Sequence, residues 1–181
     1  QIYFQTKQET MENQTDLAKV NSMPPALLKV SQSVGVQMLQ KQDFKGFAST
    51  VPATIEKIAD CTPICVLKHV VPTETMQMLL EVEISKLSAR LNVANNLNNA
   101  QIVFTAETLL EDFKACSLED FIFVFKQMAK GAYGSTYHQL DTSVISLCLQ
   151  DHLENKAYYQ ERNNTTSESN EALPDVDYQA F

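Results

Sequence analysis

One stretch of the chain has a regular apolar period, and this period constrains the fold more than any other feature. Between Pro72 and Val93 the regularly spaced apolar residues are Met76, Leu80, Ile84, Leu87 and Leu91. Steps of three and four residues place side chains on one face of an α-helix, whereas a strand would require alternate positions. We therefore predict a long amphipathic helix over about 72–93.

Proline positions predict two shorter helices ahead of the long one. Pro52, Pro63 and Pro72 follow one another at intervals of 11 and 9 residues. Proline is tolerated in the first turn of a helix and excluded from its interior, so each is interpreted as a helix start. The short helices are expected over about 52–60 and 63–70.

Capping residues predict three further helices. Asn98 or Asn99 can cap the first, Ser117 with Asp120 forms a capping-box variant before the second, and Asp141 can cap the last. Gly131 suits a left-handed C-cap at the end of the second. The side chains expected on the buried faces are Ile102, Ala106, Leu109, Leu110 and Phe113, then Phe121, Val124, Phe125 and Met128, then Val144, Leu147, Cys148, Leu149 and Leu153.

The chain contains no alternating Val/Ile/Thr-rich run bounded by hairpin turns, so the predicted fold is all-α, a compact bundle of five to six helices. Residues 1–10 include Gln-Ile-Tyr-Phe-Gln, typical of the end of a cleavable tag, and Met11 is the expected natural start. We expect a flexible polar arm over 11–48 with one short helix near 26–39, the helical domain over 49–162, and an acidic disordered tail over 163–181.

The net charge is unevenly distributed. The chain has 14 Lys+Arg and 22 Asp+Glu, which give a formal net charge of −8. Residues 163–181 contain four acidic and no basic residues and so carry −4 of it. The rest of the chain carries the other −4. An acidic balance argues against extensive phosphate-backbone binding. Apolar runs such as 121–125 fall far short of the roughly 20 residues that a membrane span needs, and no secretory signal is expected. We predict no membrane partner.

Cysteine spacing offers one candidate metal site. Cys61, Cys65 and His69 follow one another at four-residue steps, but Pro63 separates Cys61 from the other two, and the usual two-residue spacing of zinc cysteines is absent. We interpret all four cysteines as reduced, buried thiols in a cytoplasmic compartment and expect no metal and no cofactor.

We predict no catalytic residues. The sequence has no phosphate-binding glycine loop and no nucleophile elbow. The paired carboxylates Glu111-Asp112 and Glu119-Asp120 lie at predicted helix ends, where favourable interaction with a helix N-terminus or solvation explains them.

The segment from Lys126 to His138 is the most unusual in composition. It concentrates two lysines, two tyrosines, a histidine and two of the four glycines. Such residues can contact a protein partner, or stack on a base and hold a phosphate. The other interpretation is a helix C-cap and turn whose tyrosines pin the loop to the core. The candidate partner-binding residues here are Lys126, Lys130, Gly131, Tyr133, Gly134, Tyr137 and His138.

The end of the sequence supplies a second candidate contact. Residues 171–181 mix acidic residues with spaced apolar ones, and Tyr178 and Phe181 are the predicted contacts. The composition is similar to that of the acidic tails with which single-stranded-DNA-binding proteins recruit replication partners. A plain solubilising tail is the alternative.

A recurring order of motifs stands out in the C-terminal part of the chain. Its residues are Leu118 to Phe125, Lys130-Gly131-Ala132-Tyr133-Gly134, Tyr137, Leu140-Asp141 and Tyr158 to Arg162. In this order the chain resembles small helical proteins encoded by bacteriophages and mobile elements of gut bacteria. The resemblance covers about 60 residues from roughly Ala100, without the tryptophan expected in the last helix. It implies a phage setting, with work in replication or host takeover, and names no mechanism.

These observations predict a non-enzymatic, phage-encoded helical protein-interaction module, an accessory to DNA replication or host takeover in the host cytoplasm. The first alternative is a structural or packaged protein of the virion. The second is a helix-turn-helix DNA-binding protein, disfavoured because residues 98–160 contain four Lys and eight Asp+Glu.

Overall fold

The computed structural model describes residues 23–91, 93, 95–134 and 139–171, with side chains through Asn163. Nine helices occupy these ranges, more than the five to six expected, and no strand occurs within them, so the predicted all-α fold is confirmed. The helices are α1 (Pro25–Ser31), α2 (Val34–Gln40), α3 (Phe44–Thr50), α4 (Ile55–Ile58), α5 (Ile64–Leu67), α6 (Thr73–Arg90), α7 (Asn99–Asp112), α8 (Leu118–Ala129) and α9 (Thr142–Glu171). None of the helices described is long and apolar enough to cross a membrane.

Helix α6 is the centre of the bundle, as its apolar period predicts. The side chains of Met76, Leu80, Ile84 and Leu87 are buried, and Leu91 packs partly buried against them. Helices α7 and α8 each pack against α6, and α9 packs against α8. Helices α7 and α8 are therefore held mainly by their contacts with α6.

The predicted helix starts are confirmed in position except the one at Pro52, because α4 begins at Ile55 after the N-cap residue Thr54. Asn98 and Gln101 form a reciprocal capping box, and the Asp141 carboxylate accepts the backbone N–H of Val144 at 2.9 Å. Pro63 and Pro72 each directly precede a helix. The two short helices α4 and α5 have four residues each and are shorter than predicted.

The polar arm expected over 11–48 is wrong for residues 25–48, which form α1, α2 and most of α3. Val36, Leu39 and Phe47 are buried in the common core, and α2 packs against α6. Ser33 and Asp43 cap α2 and α3 by accepting backbone N–H groups. A helix that covers an existing core needs only a narrow apolar stripe, so a polar composition hides it. Residues 11–22 lie outside the described residues.

The boundary expected at 162/163 is also wrong, because α9 continues to Glu171. No proline or glycine occurs between 142 and 171, and the first helix-breaking residue is Pro174. Polar residues such as Ser, Thr and Asn are only mildly unfavourable in a helix, and adding residues to a formed helix is far easier than nucleating one. Residues 172–181 of the predicted tail lie outside the described residues.

Candidate functional site

The connection between α8 and α9 begins with a well-defined helix end. The N–H of Gly131 donates to the carbonyl of Met128 at 2.9 Å, and the N–H of Ala132 donates to that of Gln127 at 3.1 Å. Gly131 has φ = 78°, the left-handed conformation that glycine adopts without strain. This pair of bonds is the Schellman motif, so the predicted glycine C-cap is confirmed.

The predicted contact residues differ in how exposed their side chains are. Lys130, Gly131 and Gly134 are exposed, and Tyr133 is half-buried against the core. The Lys126 side chain is part-buried, and its Nζ donates to the carbonyl of Ala48 in α3 at 2.9 Å. Lys126 therefore holds the N-terminal helices to α8. The candidate residues outside the described residues are Tyr137, His138, Tyr178 and Phe181.

An open apolar groove of about 220 Å³ lies beside this connection, and we call it the turn groove. Its lining residues are Tyr133, Val144, Leu147, Cys148 and Asp151. The sequence placed Leu147 on the buried side of its helix, and this prediction is wrong because Leu147 is 63% exposed. At about 100° per residue, Leu147 lies nearly opposite the fully buried Ile145 and Leu149.

Three basic side chains lie near one another where α6 and α8 end. Burial lowers the pKa of Lys126, and the positive charges of Arg90 and Lys130 act in the same direction against the opposing charge of Glu83. Arg90 ends α6 and Lys130 ends α8, and both are exposed. The N–H of Leu140 donates to the carbonyl of Asn95 at 2.9 Å, which ties the loops after α6 and α8 together. Arg90 and Lys130 are thus exposed basic residues at this end of the bundle, and the acidic residues Asp141 and Asp151 lie at the same end.

At the other end of α8, four donor groups converge on one buried carboxylate. Asp120 Oδ1 lies 2.7 Å from His152 Nε2, and Oδ2 accepts Lys156 Nζ at 2.7 Å. The backbone N–H and the hydroxyl of Ser117 also donate to Oδ2, at 2.7 and 2.9 Å. The side chains of Asp120, His152 and Lys156 are 0%, 1% and 9% exposed. We call Ser117, Asp120, His152 and Lys156 the Asp120 hub.

The electrostatics of the Asp120 hub are those of a satisfied structural ion. Burial alone raises the pKa of Asp120, but the hydrogen bonds from His152, Lys156 and Ser117 outweigh it and bring the pKa below its ordinary value. The carboxylate is therefore ionised at neutral pH, and its lone pairs face donors. The Ser117 hydroxyl donates to the carboxylate, so the hub lacks the serine–histidine bond that activates a nucleophile.

A second open pocket, of about 370 Å³, lies between α9 and the segment that connects α4 to α5. Lys156 and Gln160 contribute to it from α9, and Cys61 and Pro63 from the facing segment. Burial, followed by the negative charges of Glu119 and Asp120, raises the pKa of Cys61 to about 12, which makes its thiol a poor nucleophile at neutral pH.

The interpretation of all four cysteines as buried thiols is correct for Cys116 and Cys148 and wrong for Cys65, which is exposed, while Cys61 is half-buried. Cys65 lies on the four-residue helix α5, whose other positions supply the buried Ile64 and Leu67. Within the ranges that the structure describes, no group of three or more His, Cys, Asp and Glu side chains could hold a metal ion.

Sequence reasoning missed the Asp120 hub, although it found the cap at its centre. Ser117 and Asp120 were predicted as a capping box, and that geometry is present. The missed signal lies in α9, where Ile145, Leu149, His152 and Lys156 step by 4, 3 and 4 along one buried face. A basic pair that continues an apolar stripe indicates a buried acidic partner, because a buried charge is rarely left unpaired.

No protein-family model, curated protein or solved structure matches the chain.

Proposed function

We propose that this chain is a non-enzymatic helical protein-interaction module that binds its partner through the turn groove and the basic residues at the same end of the bundle. The observation that carries the proposal is Leu147, a large apolar side chain that is 63% exposed in an apolar-lined groove next to the turn. Interface centres are commonly built from aromatic and apolar side chains in such depressions.

The charges around the groove favour one kind of partner. Lys130 is three residues from Tyr133 in sequence, and Arg90 is exposed at the same end. Asp151 in the groove wall is the opposing charge. A partner segment that places an apolar side chain in the groove and acidic residues near Lys130 and Arg90 complements both features.

The resemblance of the C-terminal third to helical proteins of phages supports a setting for this binding. We propose an accessory role in DNA replication or host takeover in the host cytoplasm. A virion component is the alternative. DNA binding by a helix-turn-helix unit is disfavoured further, because Lys126 is bonded to Ala48.

Paired affinity capture tests the proposal. The intact chain and the variants Leu147→Asp and Val34→Asp serve as baits, and captured proteins are quantified by mass spectrometry. Val34 is 65% exposed on α2 and is the matched control for the 63% exposed Leu147. We expect the intact chain to capture a defined protein, and the captured amount to fall at least about tenfold with Leu147→Asp and to stay unchanged with Val34→Asp. Equal capture by all three baits contradicts the proposal.

Two further measurements separate the alternatives. A DNA-binding protein shows affinity that falls steeply with salt and is lost on Lys126→Glu with Lys130→Glu, so fluorescence anisotropy with duplex DNA at low salt tests that class directly. A virion component is recovered in mass spectra of purified particles in fixed proportion to the capsid protein. Recovery from lysate but not from particles supports the interaction module.

A further inference from the structure

We propose that the outer face of the paired helices α6 and α7 binds a basic amphipathic helix of another protein. This face is separate from the turn groove, which α9 and the connection before it supply, so the inference goes beyond the proposed function and does not depend on it. Exposed apolar side chains make the face a docking surface, and its charges select the occupant.

Helices α6 and α7 lie side by side and run antiparallel. Near the start of α6, Gln77 Nε2 donates to Glu107 Oε1 on α7 at 3.3 Å. In the last turn of α6, the Ser88 hydroxyl donates to the side-chain oxygen of Asn96, just before α7, at 2.6 Å. The two contacts fix the register of the pair along the groove between the helices.

Four of the large apolar side chains that the structure shows exposed lie on this pair of helices: Met78 and Val82 on α6, and Val103 and Phe104 on α7. Met78 and Val82 are one turn apart and, at about 100° per residue, lie nearly opposite the fully buried Leu80. Phe104 is 62% exposed. The outer face therefore offers an apolar surface on both helices.

The charges along this face have one sign. Residues 73–85 and 99–113 contain no Lys or Arg. Glu83 is buried and pairs with Lys86 at the edge of the face. The acidic residues of these ranges that are not buried are Glu74, Glu81, Glu107, Glu111 and Asp112. Among the residues that the structure describes, none of these five forms a salt bridge.

Gln77 holds two of these carboxylates together. Its Nε2 donates to Glu81 Oε1 at 3.0 Å as well as to Glu107, so two negative charges from different helices meet at one amide nitrogen. Like charges held this close repel each other, and a guanidinium or ammonium group beside them removes the repulsion. An Arg or Lys side chain is the complement of this arrangement.

These features select one class of partner. An amphipathic helix places apolar residues spaced three and four apart on a groove of this kind, and Lys or Arg beside its apolar stripe then meets the carboxylates. A second copy that docked by the same face would set acidic residues against acidic residues. Nucleic acid is disfavoured in the same way, because its phosphates are negative.

A peptide selection tests the chemistry of the partner. The library displays helices of about 15 residues with a fixed leucine stripe, and the positions beside the stripe are varied among Lys, Arg, Gln, Asp and Glu. The labelled full-length chain is the bait. We expect the selected peptides to be enriched in Lys and Arg at the varied positions. Enrichment of Asp and Glu, or none at all, overturns the inference.

Variants of the chain locate the binding, measured by anisotropy with a fluorescein-labelled selected peptide. Phe104→Ser should weaken binding at least about tenfold. Glu81→Gln with Glu107→Gln keeps the side-chain shapes and removes both charges, so it should weaken binding and reduce its dependence on salt. Val34→Ser is the matched control, since Val34 is 65% exposed on α2, and binding should be unchanged.

Thermal unfolding checks that each variant is folded, and the charge-neutral pair keeps the test valid if Phe104→Ser is not. Binding that survives both the Phe104 and the Glu81/Glu107 changes refutes the proposed surface. Sedimentation velocity separates the remaining occupant: self-association that Phe104→Ser abolishes would show that another copy covers this face, and the proposed partner would be wrong.

Discussion

Replacing Lys156 by methionine tests the energetic role of the Asp120 hub. Methionine keeps the length and apolar stem of the side chain but removes the ammonium that lies 2.7 Å from Asp120 Oδ2. The carboxylate then stays fully buried with one strong donor fewer and without its permanent positive charge. Removing one partner of a buried ion pair costs about 3–5 kcal/mol, a large part of the roughly 5–15 kcal/mol that stabilises a typical domain.

The measurement is urea unfolding at pH 7, followed by circular dichroism at 222 nm, with the free energy of unfolding extrapolated to water. Lys86→Met is the matched control: Lys86 pairs with Glu83 at 2.6 Å, but its side chain is 41% exposed against 9% for Lys156. Solvent screens the Lys86 ammonium, although the Glu83 side chain is only 10% exposed, so we expect a smaller loss than for Lys156→Met. If Lys156→Met costs no more than Lys86→Met, the hub does not stabilise the fold as argued.

A cycle with Asp120→Asn sharpens the result. Removing the acidic charge alone leaves Lys156 buried without its counter-ion, so this single variant is also destabilising. The double variant removes both charges, and its loss should be smaller than the sum of the two single losses by roughly 0.5–3 kcal/mol. Strict additivity would show that the two side chains do not stabilise each other.

Three further outcomes are expected. The pKa of Asp120 is lowered in the folded state. Its contribution to the free energy of unfolding is therefore present above the ordinary carboxyl pKa of about 3.9 and is lost as the pH falls through the folded pKa. Urea titrations from pH 7 to 3 should show a decrease in the free energy of unfolding that is smaller in Asp120→Asn. Gly131→Ala should lower the free energy of unfolding by about 1–2 kcal/mol because of backbone strain at φ = 78°. An added Cβ meets no atom within 4 Å, so no steric clash adds to this loss. A loss near zero in thermal unfolding would contradict this. The exposed thiol of Cys65 should react promptly with a thiol reagent at pH 8. Cys116 is buried and burial raises its pKa to about 12, so it should react only on unfolding. Early labelling of Cys116 in peptide mass spectra would refute its placement.

The parts of the fold that the sequence predicts are those set by local rules. The stripe from Met76 to Leu87 and the caps at Asn98, Ser117 and Asp141 depend on residues a few positions apart, and all are present. Gly131 likewise takes the left-handed conformation that its place after α8 requires. Periodicity and capping are nearly sufficient for such features because the interacting groups lie within one or two turns.

The features that the sequence did not predict depend on distant partners. Residues 25–48 looked too polar to fold, but Val36, Leu39 and Phe47 need to cover only a core that other helices supply. The sequence analysis placed Val144, Leu147 and Leu149 on one buried side of α9, and only the packing of Ile145 and Leu149 settles that Leu147 faces outward.

The candidate site shows the same division. The turn and its glycines are visible in the sequence, whereas the turn groove depends on which face of α9 is buried, and the pairing of Asp120 with His152 and Lys156 joins residues 32 and 36 positions apart. Local patterns cannot set such pairings, because tertiary packing determines them.

The convergence of four donors on Asp120 has an evolutionary consequence. Once the carboxylate is lost, His152, Lys156 and the Ser117 hydroxyl are left buried without their shared acceptor, so a change at one of these positions is tolerated only with changes at the others. Among divergent relatives, the four positions should therefore be retained together or replaced together by an apolar set, with intermediate combinations rare. The exposed positions of the turn groove have no such mutual dependence, and they are free to follow a changing partner one substitution at a time.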